Sequence, residues 1–175
     1  EPPTAKHVEA ICALLARGNR NATISLPPKT KLRLYRDRLS IDTYPDLSPT
    51  VTLCRAEALD TEAPLPNGLA VWGEPCNAQH AALTAHYRHH ATARLCSTAL
   101  IGSPYVRVRK AGDMILSAHM HKAVRRLAAL SHLTPEVRAR LPLLCDEAGI
   151  VAVPCGPVRD GVAENADLTV HFYFN

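Results

Sequence analysis

Residues 140–156 read RLPLLCDEAGIVAVPCG, and their interpretation sets the fold of everything around them. Two apolar runs, LLCD and IVAV, flank Glu147–Gly149, and Gly149 suits a tight reversal. The spacing predicts a buried β-hairpin. Immediately before it stands HKAVRRLAALSHLTPEVRAR (121–140), which reads as a basic helix pair. In the first helix, expected from about His121 to Ser131, Val124, Leu127 and either Ala128 or Leu130 form the apolar stripe. Thr134-Pro135 starts a second, short helix, because proline tolerates the first helical position. Pro142 is expected to end it. A strongly basic surface is thus expected directly against a strongly apolar support.

Working outward, YVRVR (105–109) alternates with Val106 and Val108 inward, and LTVHFYF (168–174) is a final strand with Leu168, Val170 and Phe172 on one face. VTLCRAEAL and PLPNGLAVW each supply a strand, the latter after an Asn-Gly turn. ALTAHYRHHATARL (82–95) looks like one long alternating strand. Leu83, Ala85, Tyr87, His89, Ala91, Ala93 and Leu95 share one face, and Thr84, His86, Arg88, His90, Thr92 and Arg94 share the other. Toward the start, Thr4 can cap a helix over about 5–17. Val8, Ile11, Cys12 and Leu15 are its stripe and Gly18 its stop. NATISLPPKT reads as a turn-rich connection, LRLYRDRLSI (32–41) as strand–turn–strand, and YPDLSP (44–49) as a linker. The class is α+β: an N-terminal helix and short hairpin, then a mixed β domain with a basic helix pair packed against a sheet.

The charge distribution narrows the function. Net charge is +4, from 20 Lys/Arg and 16 Asp/Glu. Residues 105–140 hold eight of the basic residues against Asp113 and Glu136, a local +6; the other 139 residues keep 12 basic and 14 acidic, a net −2. The excess is concentrated, as a polyanion-binding face requires, because each phosphate neutralised releases a condensed counterion. The candidate RNA contacts are Arg107, Arg109, Lys110, His119, His121, Lys122, Arg125, Arg126, Arg138 and Arg140. The competing interpretation is a solvated helix face, or for each basic residue an ion pair with a nearby carboxylate. For Arg140, beside Leu141-Pro142, it is a packed stem with a paired head.

Other chemistries find less support. The six cysteines (12, 54, 76, 96, 145, 155) contain no C-x-x-C, and several lie in apolar runs, so buried thiols in a reducing cytoplasm are expected rather than disulfides. The eight glycines include no adjacent pair and no Gly-rich phosphate loop, so no catalytic residues are assigned. Cys76, His80, His86, His89 and His90 fall within fifteen residues, with His119-x-His121 beyond, and this is the strongest alternative, a zinc site. In a strand His86 and His90 would face away from His89, so no metal ligands are assigned. No stretch approaches the ~20 apolar residues of a membrane span. The chain opens with EPPTAKHVEA, which has neither the basic nor the apolar region of a signal peptide, and with Glu rather than Met, so upstream sequence is expected.

Arg107-Val-Arg-Lys-Ala-Gly-Asp113, the basic helix, and LTPEVRARLPLLCDEAGIVAVPCGPVRDGVAEN (133–165) together resemble the C-terminal domain of the tRNA(Ile)-lysidine synthase family. ISLPPKTKLRLYRDRLSI (24–41) is similar to the end of that family's central substrate-recognition domain, and LPNGLAVW to the entry of its C-terminal domain. The resemblance implies a remnant of the central domain over 1–46 and a C-terminal tRNA-binding domain over 47–175. It also implies a cytoplasmic enzyme that adenylates the wobble cytidine of an isoleucine tRNA with ATP and attaches lysine, using Mg. Catalysis would belong to an S-G-G-x-D-S domain absent here, leaving this part inactive alone and without a cofactor. The implied partner is tRNA, on its acceptor-stem side; a homodimer would be compatible. The alternative is a stand-alone module for structured RNA. The chain departs from the family at Ala118-His-Met-His-Lys122, where glycines and lysines are usual, and at Ala152, where an aromatic is usual.

Overall fold

The final strand organises the larger part of the molecule. In this computed structural model, which describes residues 5–16, 21–26, 30–35, 38–43, 51–130 and 133–175, the chain divides into two compact units, Glu1–Ser48 and Pro49–Asn175.

The first unit has a helix α1 (Ala5–Ala16) and a three-stranded antiparallel sheet of β1 (Asn21–Leu26), β2 (Thr30–Tyr35) and β3 (Arg38–Thr43). The two strands expected over 32–41 are present, Tyr35 pairing with Arg38; the expected turn between them lies outside the described residues. NATISL, expected as a connection, is a strand instead, because β2 offers it a complete antiparallel partner from Asn21↔Tyr35 to Leu26↔Thr30. Leu32 is buried. Along α1 the expected apolar stripe is not wholly inward: Val8 and Cys12 are exposed and Ile11 is half-buried. The expected cap Thr4, stop Gly18 and linker 44–49 lie outside the described residues, as does the side chain of Leu15.

The second unit adds β4 (Val51–Arg55), β5 (Gly68–Trp72), α2 (Asn77–His86), β6 (His89–Leu95), β7 (Tyr105–Val108), β8 (Met114–Ser117), β9 (Met120–Ala123), α3 (Val124–Leu130), α4 (Pro135–Ala139), β10 (Pro142–Asp146), β11 (Gly149–Ala152) and β12 (Leu168–Phe174). The α+β class expected from the sequence is borne out. One sheet runs β4-β5-β12-β6, with β12 antiparallel to both neighbours and β4 parallel to β5. Asn67-Gly68 therefore leads into a parallel strand and does not close a hairpin. A second sheet runs β11-β10-β7, and the β10–β11 hairpin is the one expected from 140–156. All five residues of β10 are buried. Pro142 opens this strand; the helix before it has already ended at Ala139, with Arg140 as its C-cap. Among the described residues no helix is long and apolar enough to cross a membrane.

The core follows from two-residue periodicity. Val170, Phe172 and Phe174 of β12 and Ala91, Ala93 and Leu95 of β6 join Leu143, Leu144, Val151 and Leu141 in the main cluster. The expected single apolar face of β12 is only half of its role: Tyr173 and His171, on the opposite face, are buried too. Helix α2 covers part of that face, and Leu83 and Tyr87 pack with Leu69, Val71, Ala56 and Tyr173 in a second cluster. The long strand expected over 82–95 is thus a helix followed by a strand. Four alanines within 77–86 carry no strong period of their own and have the best helix propensity. His80, Leu83 and Tyr87 instead share helical spacing toward the sheet. The Gln79 carboxamide fixes the helix start, accepting from Cys76 N at 3.0 Å and donating to the carbonyls of Ala56 and Leu59 at 3.1 Å each.

Candidate nucleic-acid interface

The basic block folds as a strand, a hairpin and two short helices, because a reversal at Ala118-His119 pairs residues 120–123, where the expected helix was to begin, with β8. Both residues have positive φ, 53° and 58°. A two-residue turn with both central residues left-handed is the geometry that favours Asn-Gly, so Ala118 and His119 occupy it at a cost. Asp160 compensates: its carboxylate accepts from Ala118 N at 2.8 Å and His119 N at 2.6 Å. The expected helix from His121 is corrected accordingly. His121 and Lys122 belong to β9, and α3 begins only at Val124. Of its expected stripe, Val124 and Ala128 are buried and Leu127 is half-buried; the side chain of Leu130 lies outside the described residues.

The arginines divide by partner. Arg107 forks onto Asp113, Nη1 to Oδ2 and Nη2 to Oδ1 at 2.8 Å each, and Nη1 also donates to the Val108 carbonyl at 3.1 Å. Burial alone would raise the Asp113 carboxyl, but Arg107 and the Lys110 amide outweigh it and hold the acid below its ordinary range. The bond to Asp113 in turn raises Arg107. Arg107 closes the 107–113 loop, and its head is occupied in doing so. Arg109 is engaged on one side only, Nε donating to the Arg138 carbonyl at 2.8 Å.

Arg109, Arg125, Pro135 and Arg138 line a pocket of about 270 Å³. This links the end of β7, the outer face of α3 and the single turn of α4. Thr134 sets α4 by accepting from Val137 N at 3.5 Å, and the Arg109–Arg138 bond ties that turn to β7. The Arg138 Nε is buried and has no hydrogen-bond partner among the described residues. A buried donor without an acceptor is expensive, and the guanidinium groups that line the pocket would offer an anion charge-assisted partners.

The remaining candidates lie outside that lining. Lys110, Arg126, His121 and Arg140 are exposed and Lys122 is half-buried. The His119 side chain is 99% exposed, its Nδ1 3.8 Å from an Asp160 oxygen. A second pocket, about 390 Å³, is lined by Leu53, Cys54, Arg55, Trp72, Ser97, Leu100, Gly102 and Pro104, and none of the block's cations reaches it.

The Asp146–Arg159 pair was not identified in the sequence reading. Asp146 accepts from Arg159 through both oxygens, at 2.7 and 2.6 Å, and from the Ile101 and Ala148 amides at 2.9 and 3.0 Å. Hydrogen bonding to Arg159, against the opposing effect of burial, holds its carboxyl at about 2. This pair, with the Asp146 bond to the Ile101 amide, locks the β10–β11 turn to the loop after residue 100. Among the histidines, His80 and His90 meet, but with His171 rather than with Cys76, His86 or His89.

Comparison with known families bears on the first unit directly. Residues 1–40 match the family model described as the TilS substrate binding domain. The resemblance to the tRNA(Ile)-lysidine synthase family is borne out. A solved structure described as the crystal structure of a TilS C-terminal domain is similar to 63% of this chain and 85% of its own, at 19% identity and a TM-score of 0.41. No curated protein matches the chain.

Proposed function

We propose that this chain is the tRNA-recognition part of a tRNA(Ile)-lysidine synthase, with a substrate-recognition segment in the first unit and a tRNA-binding domain in the second. The observation that carries the reading is the pocket lined by Arg109, Arg125 and Arg138, in a chain whose first 40 residues match the TilS substrate binding domain. A-form RNA is recognised through phosphates, 2′-hydroxyls and shape more than through base edges. Guanidinium forks suit phosphate oxygens, and Arg109 is pre-positioned by its bond to the Arg138 carbonyl, so little of its side-chain freedom is sacrificed on binding. Lys110, Lys122, Arg126 and Arg140 would extend the electrostatic footprint, and His119 and His121 would add charge in acid. The acceptor-stem side of the tRNA is the proposed ligand surface.

The intact enzyme would be a cytoplasmic ATP-dependent ligase that adenylates the wobble cytidine and attaches lysine. On this reading ATP, lysine and Mg would be held by the catalytic domain, since this chain carries no Gly-rich phosphate loop motif. Its residues bind and orient tRNA and perform no bond-making step.

A tRNA titration at several salt concentrations tests the proposal. Arg125 is exposed, so Arg125→Glu leaves the fold intact. It should weaken binding at least tenfold and flatten the log K–log salt slope by roughly one for each phosphate no longer neutralised. Arg94→Glu, an equal charge change on β6, should have a much smaller effect. Unchanged affinity and slope in folded Arg125→Glu would sink the assignment.

A further inference from the structure

Three histidines converge where helix α2 meets the sheet. His80 extends from α2, His90 from β6 and His171 from β12, and one candidate ligand nitrogen from each lies within 4.8 Å of the other two. The strand register brings this about. Tyr173 pairs with His90 and His171 with Thr92 across β12 and β6, so His90, Tyr173 and His171 share the face that α2 partly covers. The His90 and His171 rings stack at 5.4 Å and 13°, and His80 stands edge-on to His90 at 5.0 Å.

The second ring nitrogens have partners as well. His171 Nε2 lies 2.9 Å from Glu74 Oε2, leaving Nδ1 turned to His90 Nε2 at 3.1 Å. His80 Nδ1 lies 2.7 Å from the Tyr173 hydroxyl, leaving Nε2 available. A carboxylate or hydroxyl on the far nitrogen fixes the tautomer and ring direction of a metal-bound histidine and raises its basicity. Two of three rings therefore carry the outer support that a metal centre uses.

We propose that His80, His90 and His171 form a zinc site, with Glu74 and Tyr173 orienting two of the ligands and a water completing the tetrahedron. Three neutral imidazoles are a borderline donor set that suits Zn²⁺. With Zn–N bonds of about 2.0–2.1 Å, tetrahedral ligand nitrogens sit roughly 3.4 Å apart. The His90–His171 separation already falls close to that; on binding, the proton between those two nitrogens moves to His90 Nδ1, so that both imidazoles ligate in the neutral form. The third ligand must close by less than about 1.5 Å to reach that spacing, within reach of side-chain rotation on the half-buried His80. Exposed His90 leaves a route for the ion. A zinc bridge here would staple α2 to β6 and β12 on the face opposite the main core. The inference stands apart from the arginine pocket and holds whatever the chain's RNA partner.

The test uses the whole chain, stripped with a chelator and titrated with ZnCl₂ by calorimetry, alongside thermal melts. The expected result is saturable 1:1 binding and a Tm higher by several degrees at a hundredfold excess over Kd. Co²⁺ in place of zinc should give the strong visible absorption of a tetrahedral site. His90→Gln changes an exposed residue and should fold with the metal-free Tm of the parent, yet bind zinc at least tenfold more weakly. His80→Gln should do the same. Absence of saturable binding overturns the proposal, and so does parental affinity in both variants, which would assign the ion to thiols or to His119 and His121.

Discussion

Arg107 and Arg159 have the same side chain as Arg109, Arg125 and Arg138, and all five belong to the same unit, yet they do opposite things. The first two lie on carboxylates at 2.6–2.8 Å, through both oxygens, and Arg159 and Asp146 are almost removed from water, at 12% and 0% side-chain exposure. The other three surround open space. A buried fork determines where the backbone goes; an open fork awaits an anion. The lesson is that a +6 block overstates the number of cations free for RNA, since Arg107 is already neutralised by Asp113.

The sharpest way to break this comparison is to remove the carboxylate of the buried pair. Asp146→Ala strands the Arg159 charge and leaves the Ile101 and Ala148 amides without their acceptor. Removing one partner of a buried pair costs about 3–5 kcal/mol, readable from urea unfolding. A loss below about 1 kcal/mol would show that the pair is as dispensable as a surface bridge.

The same carboxylate predicts a smaller acid effect. Its pKa in the folded chain is about 2, below the ordinary carboxylate value of ~3.9. A depressed folded value stabilises the protein above the unfolded pKa, and that contribution disappears as pH falls from about 4 through 2. On the order of 2 kcal/mol should be lost across this window. The Asp146→Ala protein should show a correspondingly shallower decline, and equal slopes in the two proteins would remove Asp146 from the explanation.

The smallest effect belongs to the open group. Arg125→Ala should change folding stability by less than about 0.5 kcal/mol, because an exposed helix position holds no buried partner. A cost above about 1 kcal/mol in the same urea assay would mean that Arg125 belongs with the structural arginines after all.

Local pattern carried a good deal of this fold. The β10–β11 hairpin was legible because apolar runs flanking Glu147–Gly149 have few other uses, and α4 was legible because Thr134-Pro135 is a strong start signal. Residues 82–95 were not: alanine fits either period, and what selects the helix is the packing of Leu83 and Tyr87 with Tyr173, far along the chain. The break at Ala118-His119 was hidden for a related reason. Neither residue is a usual left-handed turn former, and the compensating acceptor, Asp160, lies well downstream.

The sequence by itself determined the α+β class, the basic block, the family resemblance that residues 1–40 bear out, and the apolar hairpin beneath the block, since composition and short-range periodicity are properties of neighbouring residues. Only the tertiary structure decided which arginines are spent on Asp113 and Asp146, which three share a pocket, and that His171 joins His80 and His90. Ion pairing and ligand geometry depend on distances of a few ångströms between residues far apart in the chain, and the packing of β12 between β5 and β6 sets those distances for the histidines.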